Sequence, residues 1–378
     1  MKFLIRSELT ISAAPNKGEL ILMRKVLLIS NRVMHYRVSV YNYFYNRFKG
    51  FNWEFIVRSN QIQKQNPHPM EFNFKEMAFK FNSYKEEIRK IKPDAVIIFL
   101  HLKDIIIWPL LFWLKSQKIP IIFWTKGANL DEPDSKFKYH LFNFVHGICD
   151  RLILYSEHEI TYIKEKNRHK VFIANNTINF ETFPEINETK DEIKKEFGIP
   201  YEKVVLSVGR MGVDGGRKKI DHLIEIFNDI KKPGVGLVIV GEGVSDSTLN
   251  NKSNTIYLGE IHDPKNIQIS KIFKMADVFS IPGHIGLGIN QAFYWGLPTV
   301  TEDGLQPPEI YYLKNGRNGF IVPNNDINEL RNKIMYLLEN DLVRQEFSKN
   351  AKEDILNNAS IENMFMGFKK CLDSLIKI

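Results

Sequence analysis

Between Ala276 and Val322 the chain arranges residues in the order that phosphate-binding α/β proteins use. A short apolar run ends near Ser280, and a loop with Pro282, Gly283, Gly286 and Gly288 follows it. An amphipathic helix is expected from about Asn290, then a Gly296-Leu297-Pro298 turn, a second strand, and Glu309 opening another helix after paired prolines. Glycines let backbone N–H groups approach a ligand closely, and a helix behind the loop points its positive end at what is bound. Upstream, Gly209-Arg210 closes the apolar run VVLSVGR, and Arg217-Lys218-Lys219 precedes Ile220. Fixed cations and oriented amides of this kind stabilise negative charge on a departing phosphate.

The order strand, Gly loop, helix, Gly-x-Pro, strand, Pro-Glu, then Asn-Gly-x-x-Gly-Phe-x-Val resembles the donor-binding segment of the retaining family-4 glycosyltransferases, whose architecture is the two-domain GT-B fold. The upstream run is similar to that family's Gly-Arg, loop, Lys-Gly-x-Asp-x-Leu-Ile, with Lys219 standing at the position usually glycine. The resemblance implies that Arg210 and Lys218 hold the donor pyrophosphate and are the catalytic residues. It likewise implies a donor site made of Gly209, Gly283, His284, Gly286, Leu287, Gln291 and Glu309, with Glu309 toward the nucleotide ribose. The family's two glutamates, on either side of the Gly loop, fall here on Gly283 and Gln291. Gln291 can still hydrogen-bond ribose hydroxyls. The first glutamate has no obvious replacement, and His284 beside it either reaches the donor sugar or is a polar loop residue.

On the acceptor side the resemblance points to Arg37, in the loop Arg32–Arg37 after the first strand, and to Lys126, where many relatives carry a histidine before glycine. His101, ending the strand AVIIFL, is a cleft candidate by position, with a satisfied strand-end histidine as the competing account. Trp108, Trp113 and Trp124 either line an acceptor pocket or pack in the core.

The elements around these residues follow from length and pattern. A chain of 378 residues exceeds one hydrophobic core, so two domains are expected. VLLIS, WEFIVRS, AVIIFL, IPIIFWT, RLILYS and VFIANNTI read as strands separated by helices, including Lys136 to His146 and Glu157 to Lys166. Apolar runs of that length belong to a parallel sheet covered on both faces. A second series starts at Val204, with a helix from Ile220 to Ile230, GLVIVGEG and IYLGEI. The expected architecture is therefore α/β, two doubly wound Rossmann-like domains facing across a cleft, with ligands at strand carboxyl ends. The boundaries are 23–178 for the acceptor-side domain, 179–203 for a linker containing a short helix from Asp191 to Phe197, and 204–355 for the donor domain. A closing helix at 356–378, beginning near Ile361, is expected to pack back on the first domain. Residues 1–22 are expected to be a leader or a mis-assigned start, with Met23 as the alternative first residue.

Composition narrows the function classes. With 44% hydrophobic and 12% aromatic residues the chain is globular, and two cysteines give no disulfide framework and point to a reducing, cytoplasmic compartment. The net charge of +8 suits a phosphorylated donor and an anionic membrane surface. No nucleic-acid motif accompanies it, so nucleic acid is not expected as a partner. The apolar run Ile105 to Leu114 is too short to span a bilayer; it reads as a core helix, with interfacial anchoring as the alternative.

The resemblance implies a glycosyltransferase that moves a sugar from a nucleotide sugar to a saccharide or lipid-linked saccharide. It implies further that the transfer works with retention, without metal or other cofactor, in cell-surface polysaccharide synthesis at the inner face of a membrane. A catalytically degenerate nucleotide-sugar-binding partner subunit and a sugar-nucleotide epimerase on the same fold are the alternatives.

Overall fold

The computed structural model describes residues 23–376 except 63–68, 212, 231, 245–253, 262 and 264; the leader expected at 1–22 lies outside the described residues. Val26, Leu28, Ala95 and Ile97 join one core cluster while their neighbours Leu27, Ile29, Val96 and Ile98 join another. Strands buried on both faces in this way require helices above and below, which is the doubly wound solution.

The first sheet is built from β1 (Arg24–Val33), β2 (Trp53–Ile62), β3 (Asn73–Glu76), β4 (Ala95–Phe99), β5 (Ile121–Thr125), β6 (Arg151–Leu154) and β7 (Val171–Ile173). Its order is β3-β2-β1-β4-β5-β6-β7, and every pairing is parallel. The second sheet comprises β8 (Lys203–Val208), β9 (Val235–Val240), β10 (Thr255–Tyr257), β11 (Val278–Ser280), β12 (Thr299–Glu302) and β13 (Gly319–Val322). Its order, β10-β9-β8-β11-β12-β13, is again wholly parallel. In each sheet the winding reverses beside the first strand, between β1 and β4 and between β8 and β11. Loops diverge at those points and leave a crevice at the carboxyl ends.

Two segments tie the halves together. Phe180, Ile186, Ile193 and Ile199 are buried against Val204 and Phe273, so 179–203, read from the sequence as a linker, is packed into the second core instead. Its apolar residues had been outweighed in the sequence by the charges around them. Helix Ile361–Ile376 returns to the first domain, where Phe365 and Phe368 meet Phe44 with ring centroids 5.8 and 4.9 Å away. Gly367 sits so close to β7 that a β-carbon there would lie 2.2 Å from the Ile173 carbonyl oxygen.

Candidate functional site

The loop after β8 and the loop after β11 meet at the second sheet's switch point. The first of them forms a 3-10 turn, Val213–Lys218, and its end is stitched to the second by backbone bonds. The Gly283 N–H donates to the Lys218 carbonyl at 2.9 Å and the His284 N–H to the Arg217 carbonyl at 2.7 Å. Only glycine fits at 283, because a β-carbon there would stand 2.0 Å from the Arg217 oxygen. Gly209, with φ of +152°, similarly leaves room for the Lys218 side chain, whose Cε would be 2.9 Å from an added β-carbon.

Lys218 is the electrostatic centre of this crevice. Its Nζ donates to the His284 carbonyl at 3.0 Å, and among the described residues no carboxylate lies within ion-pair distance. Burial, then the nearby Arg210 and Arg217, push its pKa down to about 8. The His284 imidazole is pushed down to about 4 by burial and by Arg217, Lys126 and Lys218, so it is neutral at pH 7. Arg210 is exposed, 3.9 Å from Glu242, and Arg217 reaches across to Asp131 in the first domain at 2.7 Å. An anion entering here meets several cations, one of them largely stripped of water.

Lys219 holds a left-handed conformation (φ +51°), one that glycine adopts without strain. Here the lysine side chain pins the turn instead. Its Nζ contacts the fully buried Glu302 at the end of β12 at 2.6 Å, Asn324 at 2.5 Å and Asn325 at 2.7 Å. His222 holds the other Glu302 oxygen at 2.5 Å. Burial alone would raise the Glu302 carboxyl, but the Lys219, Asn325 and His222 bonds hold it below the usual carboxylate range.

Glu309 does not open toward the crevice as a free ribose acceptor. It is buried in the 3-10 turn Pro308–Tyr312 and accepts a hydrogen bond from the Asn176 amide, just past β7. The other end of Asn176 accepts from buried Arg37 at 2.6 Å, while its backbone carbonyl takes bonds from Asn290 at 3.1 Å and Tyr312 at 2.9 Å. Arg37 packs over Trp124, 4.7 Å from the ring centroid, and its Nε and Nη1 have no hydrogen-bond partner among the described residues. Trp124 is therefore core, stacked beneath a cation. Trp108 and Trp113 are half-buried against the same domain's helices.

The remaining candidates are more scattered. Leu287 caps the short helix Gly288–Tyr294, Gly286 has φ of +62°, and Gln291 is half-buried on that helix. Lys126 is exposed beside Gly127, near the buried Glu159, whose carboxyl is pushed up to about 7, chiefly by burial. His101 is exposed, and its backbone N–H donates to Asp104. Sequence reasoning missed Asn176, Glu302, His222 and Glu159. The available signal was a carboxylate ending the buried strand Thr299–Glu302.

Comparison with known proteins bears on this geometry. Residues 189–354 match the model of Glycosyl transferases group 1. Poly(ribitol-phosphate) alpha-N-acetylglucosaminyltransferase of Staphylococcus aureus (strain COL) is 24% identical over 260 residues, 66% of this chain and 49% of that protein. Trehalose synthase of Pyrococcus horikoshii is 27% identical over 276 residues, 67% of this chain and 63% of that protein. The chain thus spans about half to two thirds of the length of these relatives. Sucrose-phosphate synthase from Thermosynechococcus elongatus superposes with a TM-score of 0.72 at 16% identity, covering 94% of this chain and 99% of that one. Anabaena HepE in complex with UDP-glucose gives 0.72 at 13%, covering 93% and 99%.

The fold is GT-B. In GT-B terms the crevice described above lies between the two sheets, with Lys218 on the second domain and Asp131 and Asn176 on the first.

Proposed function

We propose that this GT-B protein transfers a glycosyl group from a nucleoside diphosphate sugar to a saccharide acceptor in the cleft between its sheets. The observation that carries the reading is Lys218, a desolvated ammonium without a carboxylate partner among the described residues, in a glycine-walled turn at the switch point. As the bond from the sugar to the β-phosphate breaks, negative charge grows on the phosphate oxygen, and Lys218 with Arg210 stabilises it. These cations do the work a metal would otherwise do, so we read the transfer as cofactor-free.

With retention, the acceptor hydroxyl attacks the sugar carbon on the face the nucleotide leaves, and its proton passes to the departing phosphate. The match of 189–354 to group 1 glycosyl transferases supports the donor half of this reading. Relatives with names in capsular polysaccharide synthesis, such as CapM of Staphylococcus aureus (24% identical over 288 residues), support a saccharide or lipid-linked acceptor and a role in surface polysaccharides. Among the described residues no helix is long and apolar enough to cross a membrane, and we place the chain in the cytoplasm at the membrane's inner face.

Gly283 favours one rival, a nucleotide-sugar-binding subunit without turnover, because its surroundings admit no side chain in place of the family's first glutamate. A thermal-shift panel of UDP, GDP, ADP and their sugar conjugates tests the donor site, since a ligand that binds only the folded state raises its stability. A shift with one nucleotide series that is lost in Arg210→Ala/Lys218→Ala supports the reading. A folded protein that responds to no nucleotide overturns it, and binding of a sugar nucleotide without transfer to any saccharide supports the rival.

A further inference from the structure

Lys126 follows directly on β5 and brings a cation of the first domain to the crevice of the second. The loop it opens carries Asp131, which pairs with Arg217 at 2.7 Å, and the Arg217 carbonyl accepts the His284 N–H at 2.7 Å. Lys126 therefore stands across the cleft from the turn that holds Lys218. Its charge is among those that, after burial, keep the His284 imidazole neutral.

The carboxylates of the surrounding loops are engaged elsewhere. On the same loop Asp131 is taken by Arg217 and Glu132 by Lys138, while Asp134 is exposed with no described cation in ion-pair distance. At the neighbouring strand ends Asp104 accepts from Asn31 and from the His101 N–H, and Glu157 from Tyr311. Glu159, near enough to feel the Lys126 charge, is buried and bonded to Ser156, and burial pushes its carboxyl up to about 7, so it is only partly ionised at neutral pH. On the second domain Glu309 is buried against Asn176, and Glu302 against Lys219 and His222. Exposed Lys126 has no carboxylate in ion-pair distance among the described residues.

Each phosphate of a nucleoside diphosphate sugar carries a single negative charge, and Lys218 and Arg210 meet that pair. Lys126 is a further cation, and Gly283 leaves no room for a carboxylate on the facing loop. A neutral imidazole, backbone amides and an unpaired ammonium thus line the crevice beyond the phosphates. Such a field favours an anion over a neutral hydroxyl and makes charge the basis of discrimination.

We propose, resting on the donor reading above, that the transferred sugar is itself anionic, of the uronate class, and that Lys126 binds its carboxylate. Lys126 is then a donor-specificity residue of the first domain, and it acts only when both walls of the cleft hold the ligand.

Calorimetric titration of the full chain with matched conjugates tests this: UDP-glucose against UDP-glucuronate, UDP-galactose against UDP-galacturonate, and GDP-mannose against GDP-mannuronate. In at least one pair the uronate is expected to bind about tenfold or more tighter, with the advantage shrinking in salt. Lys126→Gln is expected to erase the difference and Lys126→Arg to keep it, with melting temperatures showing that both variants are folded. A lysine with only a structural role would weaken both members of a pair alike. Equal affinity within every pair, or a uronate preference that survives Lys126→Gln, overturns the proposal and leaves the donor reading standing. A folded chain that binds no nucleotide and no sugar nucleotide overturns both.

Discussion

A β-carbon added to Gly283 would stand 2.0 Å from the carbonyl oxygen of Arg217. The loops after β8 and β11 are thus in backbone contact at this glycine. Gly283→Ala must push the 213–218 turn away and break the bonds that hold Lys218. We expect nucleotide affinity to fall by about tenfold or more, as when a preorganised oxyanion donor is displaced. Calorimetric titration checks this, and undiminished affinity would remove Gly283 from the site.

Lys218 pits stability against binding. Its pKa of about 8 lies below the ordinary lysine value, so below pH 8 the folded chain bears the full cost of keeping it charged, a cost relieved as pH rises toward 10.5. Lys218→Met should therefore raise unfolding free energy near pH 7 by up to about 3 kcal/mol, with the gain shrinking at alkaline pH, while nucleotide binding is lost. In the wild type, nucleotide binding should weaken as pH climbs past 8. Chemical denaturation across pH, with and without nucleotide, measures both effects.

Half-buried Lys219 pairs with the fully buried Glu302. Lys219→Gly suits the left-handed backbone yet leaves Glu302 with only His222 and a backbone amide. Breaking one side of a buried ion pair costs about 3–5 kcal/mol, and the remaining partners should hold the loss to the lower end. Lys219→Ala should be worse than Lys219→Gly because it adds backbone strain. Equal melting temperatures for Lys219→Gly and wild type would show that the pair contributes nothing net.

Asn176 bridges Arg37 of the first domain and Glu309 of the second. Asn176→Ala leaves both charged groups buried without this partner, and we expect a loss of about 3 kcal/mol or more. A double-mutant cycle with Glu309→Gln separates this coupling from any contact of Glu309 with ribose: non-additive melting temperatures signal coupling, whereas additive ones with lost nucleotide affinity return Glu309 to the ribose.

His146 is fully buried with both ring nitrogens unpartnered among the described residues, and burial, assisted by Lys170, pushes its pKa down to about 4. As pH falls from 6.5 toward 4 the unfolded chain takes up a proton that the folded one refuses, so stability drops by up to about 3 kcal/mol. His146→Phe should flatten this part of the pH–stability curve. Urea midpoints at pH 7 and pH 5 decide it.

The sheets were legible in the sequence because their strands are apolar on both faces, as in Val26–Ser30 and Val235–Val240. The edge strand β3 is only four residues long and largely exposed, and helix Phe81–Ile91 carries lysine, arginine and glutamate between its few buried positions, so neither has a strong sequence signal. The helix expected from Glu157 to Lys166 is a 3-10 turn, Glu157–Tyr162, followed by a break and the short helix Glu165–Arg168. A capping box of Ser156 and Glu159 starts that turn, but local signals do not decide how far a turn propagates.

By itself the sequence determined two halves of alternating buried strand and helix and the glycine-and-cation character of the loops after β8 and β11, since periodicity and glycine spacing act over a few residues. Partnerships were decided only by the tertiary structure. Lys219 and Glu302 are 83 positions apart, Arg37 and Asn176 139, and Asn176 and Glu309 133. No local pattern encodes which carboxylate a given lysine or amide will meet after the chain has folded. That choice follows from strand order: it brings β12 beside the turn after β8, and it carries the segment after β7 under the second domain, where burial without a partner would be too costly.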